Sequence, residues 1–175
     1  MGTVEDLDAT DLKILRILQE DSRLTVKELA EKINLSPSPT FERQKRLERE
    51  GYIERYMAVV NADKVGNHIT VLCNVRLARH TLSNIKKFSD AVMKIDQITE
   101  CYETSGEFDF QIKVLAKDMK DYQQFMLNTL GNIEGIGNLH SYIVVAEMKN
   151  THGLSLIHIS EPTRQDRPSR MPSSA

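Results

Sequence analysis

Between Leu24 and Ile53 the chain reads LTVKELAEKINLSPSPTFERQKRLEREGYI, and this run restricts the local fold more than any other. Thr25-Val26-Lys27-Glu28 has the form of a capping box, in which the hydroxyl and the carboxylate satisfy two unpaired amides at a helix start. Leu29, Ala30 and Ile33 follow at helical spacing. Asn34 is one of the few non-glycine residues that accept the left-handed backbone a tight turn needs. Ser36 then opens a second helix. Pro37 suits its first turn, where an amide hydrogen has no partner, and Pro39 is tolerable there but no further in. At about 100° per residue, Thr40, Gln44 and Leu47 share one face, and Ser38, Glu42, Lys45, Arg46 and Arg49 lie broadly opposite. Gly51 ends the helix. Two helices, a sharp turn and a basic outer face describe a helix-turn-helix, a unit that places its second helix in the DNA major groove.

A further helix precedes this run. Asp8 is placed to cap it, Asp11 sits three residues later near the positive dipole end, and Leu7 with Leu12 forms a hydrophobic staple. Ile14, Leu15 and Leu18 continue as an apolar stripe. The 175 residues carry 23 Lys and Arg against 25 Asp and Glu, a net charge of −2. A protein that coats polyanions without selectivity is strongly basic, so affinity for nucleic acid here has to come from a local patch. A weak single module binds DNA tightly when two copies are held at the right spacing, which predicts an oligomer.

After Tyr52–Val60, which reads as an extended arm, residues 61–67 (NADKVGN) are expected to be a hinge. The period then changes. Ile69, Val71, Cys73, Val75 and Leu77 alternate as in a half-buried strand, and Leu82, Ile85, Phe88, Val92 and Ile95 recur at helical spacing. Ile98–Thr104 and Phe108–Leu115 read as strands joined around Ser105-Gly106-Glu107. Asp118 caps a helix that turns Tyr122, Phe125, Met126 and Leu130 inward, and Gly135–Met148 reads as a last strand. Strand, helix, strand, strand, helix, strand is the ferredoxin-like βαββαβ order. The fold class expected is α+β, with a DNA-binding domain over 7–60 and a second domain over 68–150.

Residues 154–175 break the pattern. They are rich in Ser, Pro and Arg, lack periodicity, and resemble read-through from an adapter or vector, so a disordered, non-native tail is expected. Cys73 and Cys101 lie in apolar, strand-like contexts, and both are expected to be buried reduced thiols. His68, His80, His140, His152 and His158 show no paired metal spacing and read as surface or loop residues. There is no phosphate-binding loop, nucleophile elbow or catalytic carboxylate pair, so neither an enzyme nor a cofactor is expected. The acidic start lacks a signal core and no apolar run reaches membrane length, which predicts a cytoplasmic protein without a membrane partner.

Three segments, LDATDLKIL, LSPSPTFERQKRLEREGYI and ECYETSGEFDF, occur in order and at natural spacing. Through them the span from Leu7 to about Asn150 resembles the Lrp/AsnC (leucine-responsive/asparagine-responsive, feast/famine) family of transcriptional regulators. The resemblance implies a winged helix-turn-helix joined to an effector-binding RAM domain. It also implies dimers formed through the sheets and the linker arm, higher oligomers, and an amino acid bound between dimers that alters assembly or DNA affinity. Gln44 departs from the family, where this position is usually apolar. A buried amide without partners costs about 1–3 kcal/mol, so Gln44 is expected either to reach solvent or to be packed differently.

Candidate DNA contacts are Ser36, Ser38, Thr40, Arg43, Lys45, Arg46 and Arg49. Hydroxyls and the helix end suit phosphates, arginine forks onto guanine edges, and Lys45 suits the backbone. The competing reading pairs Arg43, Arg46 and Arg49 with Glu42, Glu48 and Glu50 on a solvated face, and makes Thr40 a core cap. On the first reading Arg46→Ala weakens DNA binding and leaves unfolding nearly unchanged. Effector contacts are assigned to Ser105, Gly106, Glu107 and Asp109: the two acids are free to meet a ligand ammonium, and Ser105 with nearby amides receives its carboxylate. Phe108 and Phe110 are expected in the core. The partners expected are double-stranded DNA, a small-molecule effector of amino-acid type, and further copies of the chain. Two alternatives compete: RNA binding, from a faint echo of the aromatic RNP1 pattern in GEFDFQI, and a regulatory module for an amino-acid enzyme. The second leaves the helix-turn-helix unexplained.

Overall fold

The computed structural model describes residues 7–151 and 153–156. The chain divides into two compact units, one comprising Met1–Ala58 with Lys149–Ala175, the other Val59–Met148.

The first unit contains α1 (Ala9–Glu20), α2 (Val26–Ile33) and α3 (Pro37–Arg49). The capping box expected at Thr25 forms, and Asp8, expected as an N-cap, forms a second one with Asp11. The Asp8 carboxylate accepts the Asp11 amide at 2.8 Å and the Asp11 carboxylate accepts the Asp8 amide at 3.1 Å. Thr25 and Glu28 exchange the same pair of bonds at 3.3 and 2.7 Å. Each cap contributes roughly 1 kcal/mol. Leu7 and Leu12 are buried in one cluster with Ile14, Leu18, Leu29, Ile33 and Leu47. Asn34 ends α2 with φ 58° and ψ 44°, the left-handed geometry that reverses the chain before α3. Ser36 occupies the N-cap position of α3, but its side chain caps no amide. Among the described residues this unit has no strand, and the chain after Gly51 runs on without regular structure to Val60.

The second unit holds β1 (Ile69–Leu77), α4 (Leu82–Val92), β2 (Ile98–Glu103), β3 (Phe110–Ala116), α5 (Met119–Asn128) and β4 (Ile136–Ile143). The strands form one antiparallel sheet in the order β2-β3-β1-β4, the ferredoxin-like arrangement. One face is covered: Val71, Cys73, Val75, Phe110, Ile112 and Val114 pack with Phe88, Val92, Tyr122, Phe125 and Leu130. The other face carries Leu72, Asn74, Gln111 and Lys113 in the middle, with Tyr102 and Tyr142 on the outer strands.

Several expectations are corrected. The 61–67 segment, expected as a hinge, has local structure. The unit boundary falls between Ala58 and Val59, and residues 61–67 fold into a short 3-10 turn, Asp63–Val65. Asn61 accepts the Lys64 amide and the Asn67 amide closes back onto the Ala62 carbonyl. β4 stops at Ile143, eight residues long, because past the Val144 amide bond to Thr70 it has no partner strand. Leu82 opens α4 in solvent, 86% exposed, rather than pointing inward. Cys101 is exposed, not buried. It lies opposite Ile112 on the helix-facing side, but β2 is an edge strand, where cover runs out. Phe108 is only half-buried, its ring tilted against that of His140 with centroids 4.9 Å apart, whereas Phe110 enters the core. Of the supposed tail, Leu154–Leu156 lies against α1: Arg16 donates to the Leu156 carbonyl, Gln19 to that of Leu154, and the Leu156 side chain is buried. Residues 157–175 and His152 lie outside the described residues.

Candidate nucleic-acid interface and effector loop

The outer face of α3 is shaped by what α1 does to it. Asp11 is 1% exposed, and both Arg43 and Arg46 converge on its carboxylate; Arg43 reaches Asp11 at 2.9 Å and Asp8 at 2.6 Å. Burial tends to raise the Asp8 carboxyl, but the Asp11 amide and the Arg43 guanidinium outweigh it and hold it below the ordinary range. These pairs differ from both sequence readings. Arg43 and Arg46 are half-buried and bind aspartates 32 and 35 residues away, whereas Arg49 lies beside neighbouring Glu50 as the solvated-face reading has it. Arg46 therefore has a structural part, and Arg46→Ala is not neutral for stability.

Thr40 is corrected outright. It is fully buried, and its hydroxyl donates to the Ser36 carbonyl at 2.9 Å, closing the first turn of α3. No surface of Thr40 is left to touch DNA. The helix end is also poorer in donors than expected, since Pro37 and Pro39 have no N–H. Ser38 supplies the one amide hydrogen among the first three positions, beside the hydroxyls of Ser36 and Ser38.

Ser38, Phe41, Lys45 and Arg49 remain facing outward, at i, i+3, i+7 and i+11. Lys45 pairs with Glu48 at 2.6 Å, and Arg49 lies 3.8 Å from Glu50 and is 72% exposed. The Lys45 ammonium, ahead of opposing burial, holds the Glu48 carboxyl low. Gln44 finds the partners its position demands: it donates to Tyr56 at 3.0 Å and to Glu48 at 3.3 Å, and Tyr56 donates to the same carboxylate. Sequence reasoning passed over Phe41, 43% exposed, although its place one residue after buried Thr40 already put it off the core face.

In the second unit the loop between β2 and β3 borders an open depression of about 690 Å³ lined by His80, Glu103, Thr104, Ser105, Gly106 and Asp109. Its base is fixed. Thr104 donates through its hydroxyl to the Phe108 carbonyl and through its amide to the Asp109 carbonyl, and the Asp109 amide donates to the Val75 carbonyl. Ser105 and Gly106 are left exposed at the tip, where Gly106 has φ 136°, a region that L side chains avoid. Asp109 is not free to meet a ligand, contrary to expectation. Its carboxylate accepts the Leu77 amide at 2.7 Å and faces His80 Nδ1 at 2.6 Å. The Leu77 amide first, with His80 and Arg76, outweighs burial and holds this carboxyl low. Glu107 is largely exposed, with its carbonyl accepting from Arg76 and its carboxylate 3.7 Å from that guanidinium. His80 and Glu103 were missed; the register that brings His80 to Asp109 is not written in either local sequence.

Phe110, the last aromatic of the RNP1 echo, faces the helices and is buried, so it is not presented on the open sheet face as that echo requires. No group of three or more His, Cys, Asp or Glu side chains suited to a metal ion occurs among the described residues.

Comparison with known proteins decides between the remaining readings. A winged helix-turn-helix DNA-binding model matches residues 7–54 and an Lrp/AsnC ligand binding domain model matches residues 70–154. The leucine-responsive regulatory protein of Klebsiella pneumoniae is 35% identical over 150 residues, 86% of this chain and 92% of that protein. The chain belongs to the Lrp/AsnC family. Solved Lrp/AsnC structures agree with its fold. A Neisseria meningitidis transcriptional regulator in complex with L-methionine superposes with TM-score 0.85 at 34% identity, covering 88% of this chain and 99% of that one. An AsnC family regulator from Agrobacterium tumefaciens gives 0.82 at 36% identity, with 86% and 98% covered. As an Lrp/AsnC protein the chain is a DNA-binding transcriptional regulator with a ligand-binding domain, and the family is not one of enzymes.

Proposed function

We propose that this regulator reads duplex DNA with the outward strip of α3 and that an amino acid, received at the β2–β3 loop, changes its assembly or DNA affinity. Ser36, Ser38, Lys45 and Arg49 are the direct contacts, and Arg43 and Arg46 act chiefly by holding α3 to the start of α1. The observation that carries this reading is the convergence of both arginines on buried Asp11, after which Lys45 and Arg49 are the exposed cations of α3, on one strip with Ser38. At the loop, Glu103 and Glu107 are the acids placed for a ligand ammonium, Ser105 and the Gly106 amide for its carboxylate, and Asp109 fixes the loop base. Pairing of copies through the open sheet face and the arm completes the assembly, which works in the cytoplasm. A ligand of this kind shifts an assembly equilibrium only by its difference in affinity for the two states. The test is a titration of the full chain onto a selected DNA site with each standard amino acid in turn, read by DNA affinity and by sedimentation. At least one amino acid is expected to shift affinity or oligomer distribution in the wild type and to lose that effect in Gly106→Asp. An unchanged response in Gly106→Asp removes the loop as the sensor.

A further inference from the structure

The strip that α3 turns outward is not uniformly polar. Phe41 lies in its middle, 43% exposed and outside the apolar cluster of its unit, which is completed without it by Leu12, Ile14, Leu29 and Leu47. Ser38 is one turn before it and Lys45 one turn after, the Lys45 ammonium standing 5.8 Å from the centre of the ring. On the far flank of the same helix Arg43 and Arg46 are drawn back to Asp11. The ring is thus bracketed by a hydroxyl and a cation on the face that a helix-turn-helix lays against DNA. In the major groove the one apolar group on any base-pair edge is the C5-methyl of thymine, and a phenyl ring is among the side chains that contact it.

We propose that Phe41 is a specificity-determining residue that packs against a thymine methyl within the bound site. The inference rests on the DNA-reading role given to α3 above. Ser38 and Lys45 hold phosphate or neighbouring polar edges, so the ring is presented at fixed height rather than on a free side chain. The contribution is to base choice: an apolar contact favours thymine over cytosine, which offers an amino group and no methyl at the corresponding edge.

Deoxyuridine keeps the pairing and groove edge of thymine but removes the methyl, which makes it the direct probe. Sites are first selected from a random duplex pool with the full chain. Each thymine of the selected site is then replaced singly by deoxyuridine, and affinities are measured for the wild type, Phe41→Ala and Phe41→Leu. One replacement is expected to weaken the wild type about fourfold, the size that burying one methyl group implies. The same replacement is expected to leave Phe41→Ala unchanged and to weaken Phe41→Leu by an intermediate factor, with thermal unfolding of all three alike. Equal tolerance of every deoxyuridine by the wild type overturns the proposal, as does an undiminished thymine preference in Phe41→Ala. Failure to enrich any sequence sinks the DNA reading and this inference with it. Enrichment without a methyl effect sinks this inference alone.

Discussion

Asp11 ties folding to recognition in a single side chain. A carboxylate so fully buried is held by partners, and here they are two arginines from α3, the helix proposed to meet DNA. Removing it takes one partner from each guanidinium, but Arg43 keeps Asp8 and both side chains are partly exposed, so the loss is smaller than for a wholly buried pair. Asp11→Ala is expected to lower stability by about 1–3 kcal/mol in urea unfolding, including the missing capping bond. Arg49→Ala, whose side chain is 72% exposed, is expected to leave the unfolding midpoint in place while DNA affinity falls several-fold. Arg46→Ala lies between them and lowers both. The outer-face place of Arg49 and the capping role of Asp8 were legible from the sequence, but the partners of Arg43 and Arg46 were not. Capping boxes are written within four residues and were readable, whereas ion pairs spanning 32 and 35 residues depend on how α1 crosses α3. The partner of Gln44 was hidden for a similar reason, since Tyr56 arrives from the arm twelve residues on.

At the scale of elements, the β2–β3 loop has a fixed base and keeps free polar groups only at its tip, because Asp109 is committed to the Leu77 amide and to His80. A carboxyl held low in the folded state adds stability that is present above its unfolded value and is lost as pH falls through the folded one. Stability of the second unit is therefore expected to fall on acidification from about pH 4 downward, and Asp109→Asn is expected to flatten that fall in urea unfolding followed against pH. An identical acid slope in the variant contradicts the role given to this carboxylate. The alternation of β1 and β3 made the covered sheet face readable. The edges were less so: β2 has a register shift between Ile98 and Glu100, and it exposes Cys101 where local alternation put it inside. β4 ended when its partner did, which no property of residues 144–148 announces. At α3, Pro37 and Pro39 were read correctly as helix-starting residues, yet their consequence, a helix end with few donors, emerges only when the end is considered as a phosphate site.

For the whole molecule, a net charge of −2 leaves little general attraction for a polyanion. On the proposed reading, binding depends on a few cations of α3 presented by paired copies, and a correspondingly modest salt dependence is expected. Each DNA phosphate that goes without a neutralising cation lowers the slope of log affinity against log salt by about 0.9. Lys45→Ala is therefore expected to reduce that slope by the share of one phosphate per copy while leaving sequence preference intact. The exposed arm residues Met57, Val59 and Val60, with Tyr102 and Tyr142 on the open sheet face, are among the exposed apolar side chains and fit the proposed pairing. The division into an α-helical unit and a βαββαβ unit was readable from the change of hydrophobic period alone; the way copies associate is a property of surfaces and was not. DNA reading by the outward strip of α3 is tested most directly by competition binding of the full chain at moderate salt, between a selected duplex site and random duplex, with the amino-acid panel present. The expected result is a preference of about a thousandfold or more for the selected site, sharply reduced in Arg49→Ala. Equal affinity for selected and random DNA under every ligand condition contradicts it.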